Sequence, residues 1–241
     1  MSRCASRSLA GVATLVFAAG ASAQDHAARA MGADRQLMTM FDRLEHRWAD
    51  EGADALLWDA QGWYGGDINR FVWKSEGDIE DGDVGEAEVQ LLWSRAITPF
   101  FDLQAGARQD VEPDDRTYGV LGVQGLAPYW FEIDAAAFFS DDGDLSARVE
   151  AEYDLLLTQR LVLQPRIETA FAAAGDPARD LGAGLTGVDV GLRLRYEIQR
   201  EFAPYVGVSW SHALGETADL LRAAGEPDAT TAVVAGLRVW F

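Results

Sequence analysis

Residues 188–198 read Val188-Asp189-Val190-Gly191-Leu192-Arg193-Leu194-Arg195-Tyr196-Glu197-Ile198. Every second side chain is apolar, and those between are charged or absent. Successive side chains of a β-strand point to opposite faces, so this pattern makes one greasy face and one charged face. The same alternation runs from Leu145 to Leu157, with Arg148, Glu150, Glu152 and Asp154 on the polar side. It returns at Leu161, Leu163, Ile167 and Phe171, set against Gln164, Arg166 and Glu168. A soluble sandwich also alternates, but its strands average about 5–6 residues. The present runs are nearer the about 9–11 residues with which a tilted strand crosses a bilayer.

Working outward, tight breaks at Thr98-Pro99, Ala127-Pro128, Thr158-Gln159 and Phe202-Ala203-Pro204 alternate with polar, glycine-rich stretches. The polar stretches are 77–85, 110–115, 173–184 and 215–229, with a shorter one at 141–143. Short turns on one side and longer loops on the other are the habit of outer-membrane barrels. The chain closes on Leu237-Arg238-Val239-Trp240-Phe241, an alternating strand with a terminal aromatic, the kind of ending the barrel-assembly machinery reads. Counting back from Phe241 predicts strands near 229–241, 202–214, 185–198, 161–173, 144–157, 129–140, 115–126, 100–110, 85–96, 67–76, 54–65 and 38–49. The expected fold is an all-β, transmembrane, antiparallel up-and-down barrel over 38–241. It should have about twelve strands, with ten as the alternative, and outer-membrane lipid around it.

The first residues read differently. Arg3 and Arg7 precede an apolar run from Leu9 to Gly20, and Ala21-Ser22-Ala23 supplies small residues for cleavage. Residues 1–23 are therefore expected to be a secretory signal peptide, and 24–37 a short periplasmic segment. The single cysteine, Cys4, would leave with the signal, so neither a disulfide nor a thiolate metal site is expected. The chain carries 20 basic and 39 acidic side chains, a net charge of −19 that deepens by two without Arg3 and Arg7. Such a balance argues against nucleic acid as a partner and favours cations. With 49% hydrophobic residues, 8 Trp and 11 Phe, the chain is not compositionally disordered.

Two groups are candidates for metal chemistry. The acidic cluster Glu132, Asp134, Glu150 and Glu152, with Asp154 beside it, falls on the expected lumen face, where carboxylates hold hard cations unless arginines neutralise them. The methionines are the second group: beyond Met1, all three lie at Met31, Met38 and Met40, flanked by His26 and His46. Thioether sulfur is soft and suits cuprous ion, and imidazole suits either copper state. The competing reading puts Met38 and Met40 on one strand face with Leu44 and Trp48, against lipid. Ser211 and His212 are adjacent and so point to opposite faces of a strand, which is no geometry for a nucleophile and its base. No enzyme activity is expected.

The run 57–70, LWDAQGWYGGDINR, is similar to the copper resistance protein B family of outer-membrane proteins. So are 118–132, YGVLGVQGLAPYWFE, 143–164, GDLSARVEAEYDLLLTQRLVLQ, and 191–205, GLRLRYEIQREFAPY. The resemblance covers residues 38–241. It implies an outer-membrane barrel that contributes to copper tolerance by binding copper or letting it pass, often beside a periplasmic multicopper oxidase. Many members carry a long N-terminal region rich in Met, His and Asp; here only 24–37 precede the first strand. What remains for copper is Met31, Met38, Met40, His26, His46 and the acidic lumen.

Overall fold

The computed structural model describes residues 35–80, 82–176 and 179–241. The leader read at 1–23, and with it His26 and Met31, lies outside the described residues. Twelve antiparallel strands follow one another around a closed barrel. They are β1 Gln36–Ala49, β2 Ala55–Gly65, β3 Asn69–Glu80, β4 Asp83–Ala96, β5 Phe101–Glu112 and β6 Arg116–Ala127. The circuit continues with β7 Phe131–Ser140, β8 Leu145–Tyr153, β9 Leu161–Ala172, β10 Gly184–Tyr196, β11 Phe202–Ala213 and β12 Ala229–Trp240. Strand β8 resumes for Leu155–Leu156 after a break at Asp154, still paired with β9. Each strand pairs with its neighbours in sequence, and β12 pairs with β1 to close the circuit. At the seam, Thr39 and Phe241 exchange both backbone hydrogen bonds, each 3.0 Å. No described helix is long and apolar enough to cross a membrane; the strands do the crossing.

The alternation in sequence becomes a division between outside and inside. Along β10, Val190, Leu192 and Leu194 are exposed, whereas Arg193 and Arg195 are buried. The inversion holds around the barrel, with Leu91, Leu121, Ile167, Val206 and Val233 outward and Glu45, Gln90, Gln104 and Arg166 inward. A water-soluble protein does not expose such a belt, and a lipid-facing barrel requires it. The buried apolar cluster of Val72, Leu92, Tyr118, Val120 and Phe138 lies inside the barrel, with Trp63 packed against it.

Two connections differ from expectation. The stretch 77–85 reads as a long loop, but β3 runs to Glu80 and β4 begins at Asp83, so the hairpin is tight. Similarly, only residues 113–115 separate β5 from β6. The long connections are 173–183 and 214–228, and the second contains an unexpected helix, α1 Gly215–Ala224. Gly225 ends that helix in the left-handed region at φ 84°, where a glycine carries no Cβ penalty. Just beyond it, Arg222 donates to Asp228 at 2.9 Å and holds that carboxyl below its usual range. Because barrels of this kind keep their longer loops outside, the rim carrying 173–183 and 214–228 is the outer one.

The largest local departure is in β1. Its pairing with β2 jumps between Phe41 and Arg43, and its pairing with β12 jumps between Phe41 and Leu44. This bulge inserts an extra residue and flips the facing of everything before it. Leu44 and Trp48 therefore face lipid, whereas Met38 pairs with Trp63 and Met40 with Gln61 on the lumen face. The shared lipid face for Met38, Met40, Leu44 and Trp48 is thus overturned.

Candidate functional site

Strand β1 supplies the centre of the lumen. Arg43 donates to Asp59 on β2 at 3.0 and 2.8 Å. Glu45 is fully buried and accepts from Arg193 on β10 at 2.8 and 2.9 Å, a paired geometry that matches the planar guanidinium to the carboxylate. It also accepts from the Tyr205 hydroxyl at 3.1 Å and from Arg47 at 2.9 Å. Glycine makes the reach possible. In register, Tyr205 and Glu45 flank Gly236, and a Cβ there would come within 2.6 Å of the tyrosine oxygen and 2.5 Å of the Leu44 carbonyl. Gly236→Ala is expected to push Tyr205 off Glu45 and cost about 1–3 kcal/mol, the usual range for overpacking. A urea-unfolding midpoint in detergent no lower than wild type would rule this out.

Further bridges cross the lumen or tie neighbouring strands together. Arg148 on β8 reaches Glu76 on β3 at 3.1 Å and Glu88 on β4 at 3.1 Å. Lys74 on β3 pairs with Asp134 on β7. Arg166 binds Glu150 at 2.7 Å, Glu168 at 2.5 Å and Glu152 at 3.2 Å. Nearer the outer rim, Arg179 donates to Asp110 at 3.1 Å and to the Tyr118 hydroxyl at 2.9 Å. Side chains fill the middle of the barrel, as expected for small barrels.

Below this layer lies a cavity of about 480 Å³. Its lining includes Pro99 and Phe100 of the 97–100 turn, which places it at the periplasmic end. Met40, Glu132, Asp134, Glu150 and Glu152 all line it. The structure thus brings one candidate methionine and the whole candidate acidic cluster to one cavity, the methionine from β1 and the carboxylates from β7 and β8. Eight carboxylates and three basic side chains face the cavity, so its potential favours cations. Most of the carboxylates are already paired: Asp134 with Lys74, Glu150 and Glu152 with Arg166, Asp59 with Arg43, and Asp42 with Arg238 at 2.9 Å. Glu132 forms no ion pair among the described residues.

The other candidates are placed elsewhere. Met38 is on the lumen face beside Trp63 but does not line the cavity. His46 faces outward opposite Leu56 and lies against Trp48, ring centroids 4.6 Å apart, away from both methionines. Groups of three or more His, Cys, Asp or Glu in a metal-holding arrangement are absent among the described residues. Ser211 donates to Asp189 in the lumen, whereas His212 stacks on Trp210 with ring centroids 5.5 Å apart and its Nδ1 3.1 Å from the Asp228 carbonyl. The two therefore point to opposite faces.

The fold and lumen define an outer-membrane β-barrel whose interior is packed with ion pairs above one acid-rich cavity. The family model described as Copper resistance protein B precursor (CopB) matches residues 35–241. A Copper resistance protein B homolog from Pseudomonas syringae pv. tomato is 48% identical over 201 residues, spanning 83% of this chain and 68% of that protein. Copper resistance protein B from Escherichia coli is 45% identical over 205 residues, spanning 85% of this chain and 69% of that protein. Among solved structures, the NanC porin superposes with a TM-score of 0.54 at 8% identity, covering 85% of this chain and 99% of that chain. At that identity the likeness speaks to fold alone. The chain belongs to the copper resistance protein B family, and its place is the outer membrane of a Gram-negative bacterium.

Proposed function

We propose that this barrel contributes to copper resistance as a non-enzymatic protein, by binding copper within its lumen. The names of its relatives support the role in resistance. The observation that carries the binding mode is the cavity, where the Met40 thioether and a wall of carboxylates share one water-accessible space. Thioether sulfur favours cuprous ion, and the carboxylates raise the local concentration of any cation. Passage through the barrel is the less favoured mode, because the buried Glu45, Arg193 and Arg166 lie between cavity and outer rim. A cavity at the periplasmic end exchanges its ion with the periplasm, which makes a periplasmic multicopper oxidase a natural recipient. Assembly of the barrel by the barrel-assembly machinery belongs to the same proposal.

A second reading is a structural barrel without metal selectivity, favoured by the ion pairs that already neutralise Asp134, Glu150 and Glu152. Titration of the detergent-folded protein with cuprous ion, with silver and zinc as controls, separates the two. The expected result is saturable binding of cuprous and silver ions, little response to zinc, and affinity roughly tenfold weaker or worse in Met40→Leu with the barrel still folded. Indifference of cuprous affinity to Met40→Leu, or equal affinity for zinc, would leave the structural reading standing.

A further inference from the structure

The periplasmic rim carries a feature that the lumen does not use. Tyr129 and Trp130, in the turn Pro128–Trp130 between β6 and β7, both lie in the left-handed region, at φ 68° and 69°. That region crowds the Cβ of any residue but glycine, so two bulky aromatics in succession are held there at a cost. No packing inside the protein offsets it. Tyr129 is 83% exposed and Trp130 71%, the two most exposed large apolar side chains among the described residues. The rim around them continues the lipid-facing belt: Phe100, Leu157 and Ile198 are exposed in the neighbouring turns, and Phe131 lies against Tyr153 with ring centroids 5.1 Å apart. Arginines are interspersed with these rings. Arg95 borders the turn 97–100, Arg160 lies in 157–160 and Arg200 in 197–201; all three are exposed and form no ion pair among the described residues. Going round the barrel, the Tyr129–Trp130 turn falls between the turns of Arg95 and Arg160. The outer rim has the opposite sign, with Asp50, Glu51, Asp114, Asp115, Asp142 and Glu226 exposed in its loops.

We propose that the periplasmic rim around Tyr129 and Trp130 is a docking surface for anionic phospholipid headgroups of the leaflet that faces the periplasm. The two rings seat at the membrane–water interface, and Arg95 and Arg160 on either side hold the headgroup phosphates. Tyrosine and tryptophan have an apolar body and a polar tip, which suits them to that layer. The exposed rings form one surface with the lipid-facing belt, so lipid already reaches the rim. Charge selects the headgroup: a guanidinium without a carboxylate partner is free to bind phosphate through two parallel N–H donors. The acidic outer rim repels the same headgroups. The two rims therefore respond to anionic lipid in opposite ways, which fixes the depth of the barrel in its bilayer. This inference does not depend on copper binding.

The test has two arms, both on the barrel refolded into vesicles, with heat-modifiable migration as the check on folding. The first locates the ring. Vesicles of phosphatidylcholine brominated either just below the headgroup or deep in the acyl chain quench nearby tryptophans, and the signal lost in Trp130→Phe isolates Trp130. That signal should be quenched strongly by the shallow label and several-fold less by the deep one. No quenching by either label would place Trp130 in water, within reach of a periplasmic protein instead, and would overturn the proposal, as would stronger quenching by the deep label. Should Trp130→Phe not fold, Trp130→Tyr supplies the difference; failure of both means that the protein itself holds the ring, and the proposal falls. The second arm reads the charge through urea unfolding. Arg95→Gln/Arg160→Gln should match wild type in pure phosphatidylcholine. In vesicles containing phosphatidylglycerol at low salt, its folding equilibrium constant should be roughly tenfold lower than that of wild type, a gap that closes at high salt. Arg95→Lys/Arg160→Lys keeps the charges and should recover most of the loss. An equal loss in both kinds of vesicle, or failure to fold, would make the arginines part of the fold and not of a lipid site; no loss in either would leave them without a lipid partner. Each of these results overturns the proposal.

Discussion

Val190→Arg should leave little folded barrel. Val190 is exposed on β10, directly opposite Ile167 on β9 and Trp210 on β11, both exposed as well. It lies midway along β10, so its side chain meets the centre of the lipid layer. An arginine there costs about 2–4 kcal/mol near the bilayer midplane. Its neighbour Asp189 faces the other way: it pairs across strands with Glu168 and Ser211 and accepts a hydrogen bond from the Ser211 hydroxyl. Asp189→Asn keeps an acceptor in the lumen and should fold like wild type. Heat-modifiable migration after refolding into lipid reads both variants. Normal folding of Val190→Arg together with loss of the Asp189→Asn barrel would mean β10 is out of register by one residue.

Most of this barrel could be read from alternation, because its two faces meet two different solvents and the chemistry must change at every residue. Strand ends for β2, β6, β9, β11 and β12 fall within one residue of that reading. The tight β3–β4 hairpin was not legible: Gly77, Asp78, Gly82 and Gly85 carry loop composition, and composition cannot tell a loop from a strand that rises above the membrane. Helix α1 was hidden for a similar reason, since ten residues opening on one glycine and closed by another give too short a pattern to stand out.

For the site, the acidic wall was legible and the methionine face was not. Met38 and Met40 have the same parity as Leu44 and Trp48, and nothing in Phe41-Asp42-Arg43 announces a bulge. The bulge follows from closure, because β1 must satisfy β2 and β12 at once. The missed hub residues did leave a signal. Arg43, Glu45 and Arg47 alternate with Leu44, His46 and Trp48, which marks them as inward. Tyr205 left none in its own strand. Its role depends on the glycine opposite it on the neighbouring strand, Gly236, across which it reaches Glu45 on β1.

The second large effect is expected at Glu45. Its carboxylate is fully buried and binds Arg193, Arg47 and Tyr205. Removing one member of a buried ion pair strands the other charge, at a typical cost of about 3–5 kcal/mol. Glu45→Met should therefore lower barrel stability by that order, and Arg193→Met likewise, both read from urea unfolding in detergent. Tyr205→Phe removes a single hydrogen bond to a charge and should cost less, about 1.5–3 kcal/mol. The informative variant is the double, Glu45→Met with Arg193→Met. If the pair acts as a unit, the second change restores much of what the first lost, because no unpaired charge remains and two apolar side chains of similar reach fill the gap. Additive losses would mean that each residue is held by its other partners and the pair itself matters little. The same variants bear on passage. A layer that seals the lumen by charge pairing should conduct no more when both charges become methionine, whereas either single change leaves a lone charge that draws water inward. Ion conductance in a planar bilayer should thus rise in the single variants and fall back in the double. Conductance already high in the wild type would show that this layer is no seal, and would move copper binding aside in favour of passage.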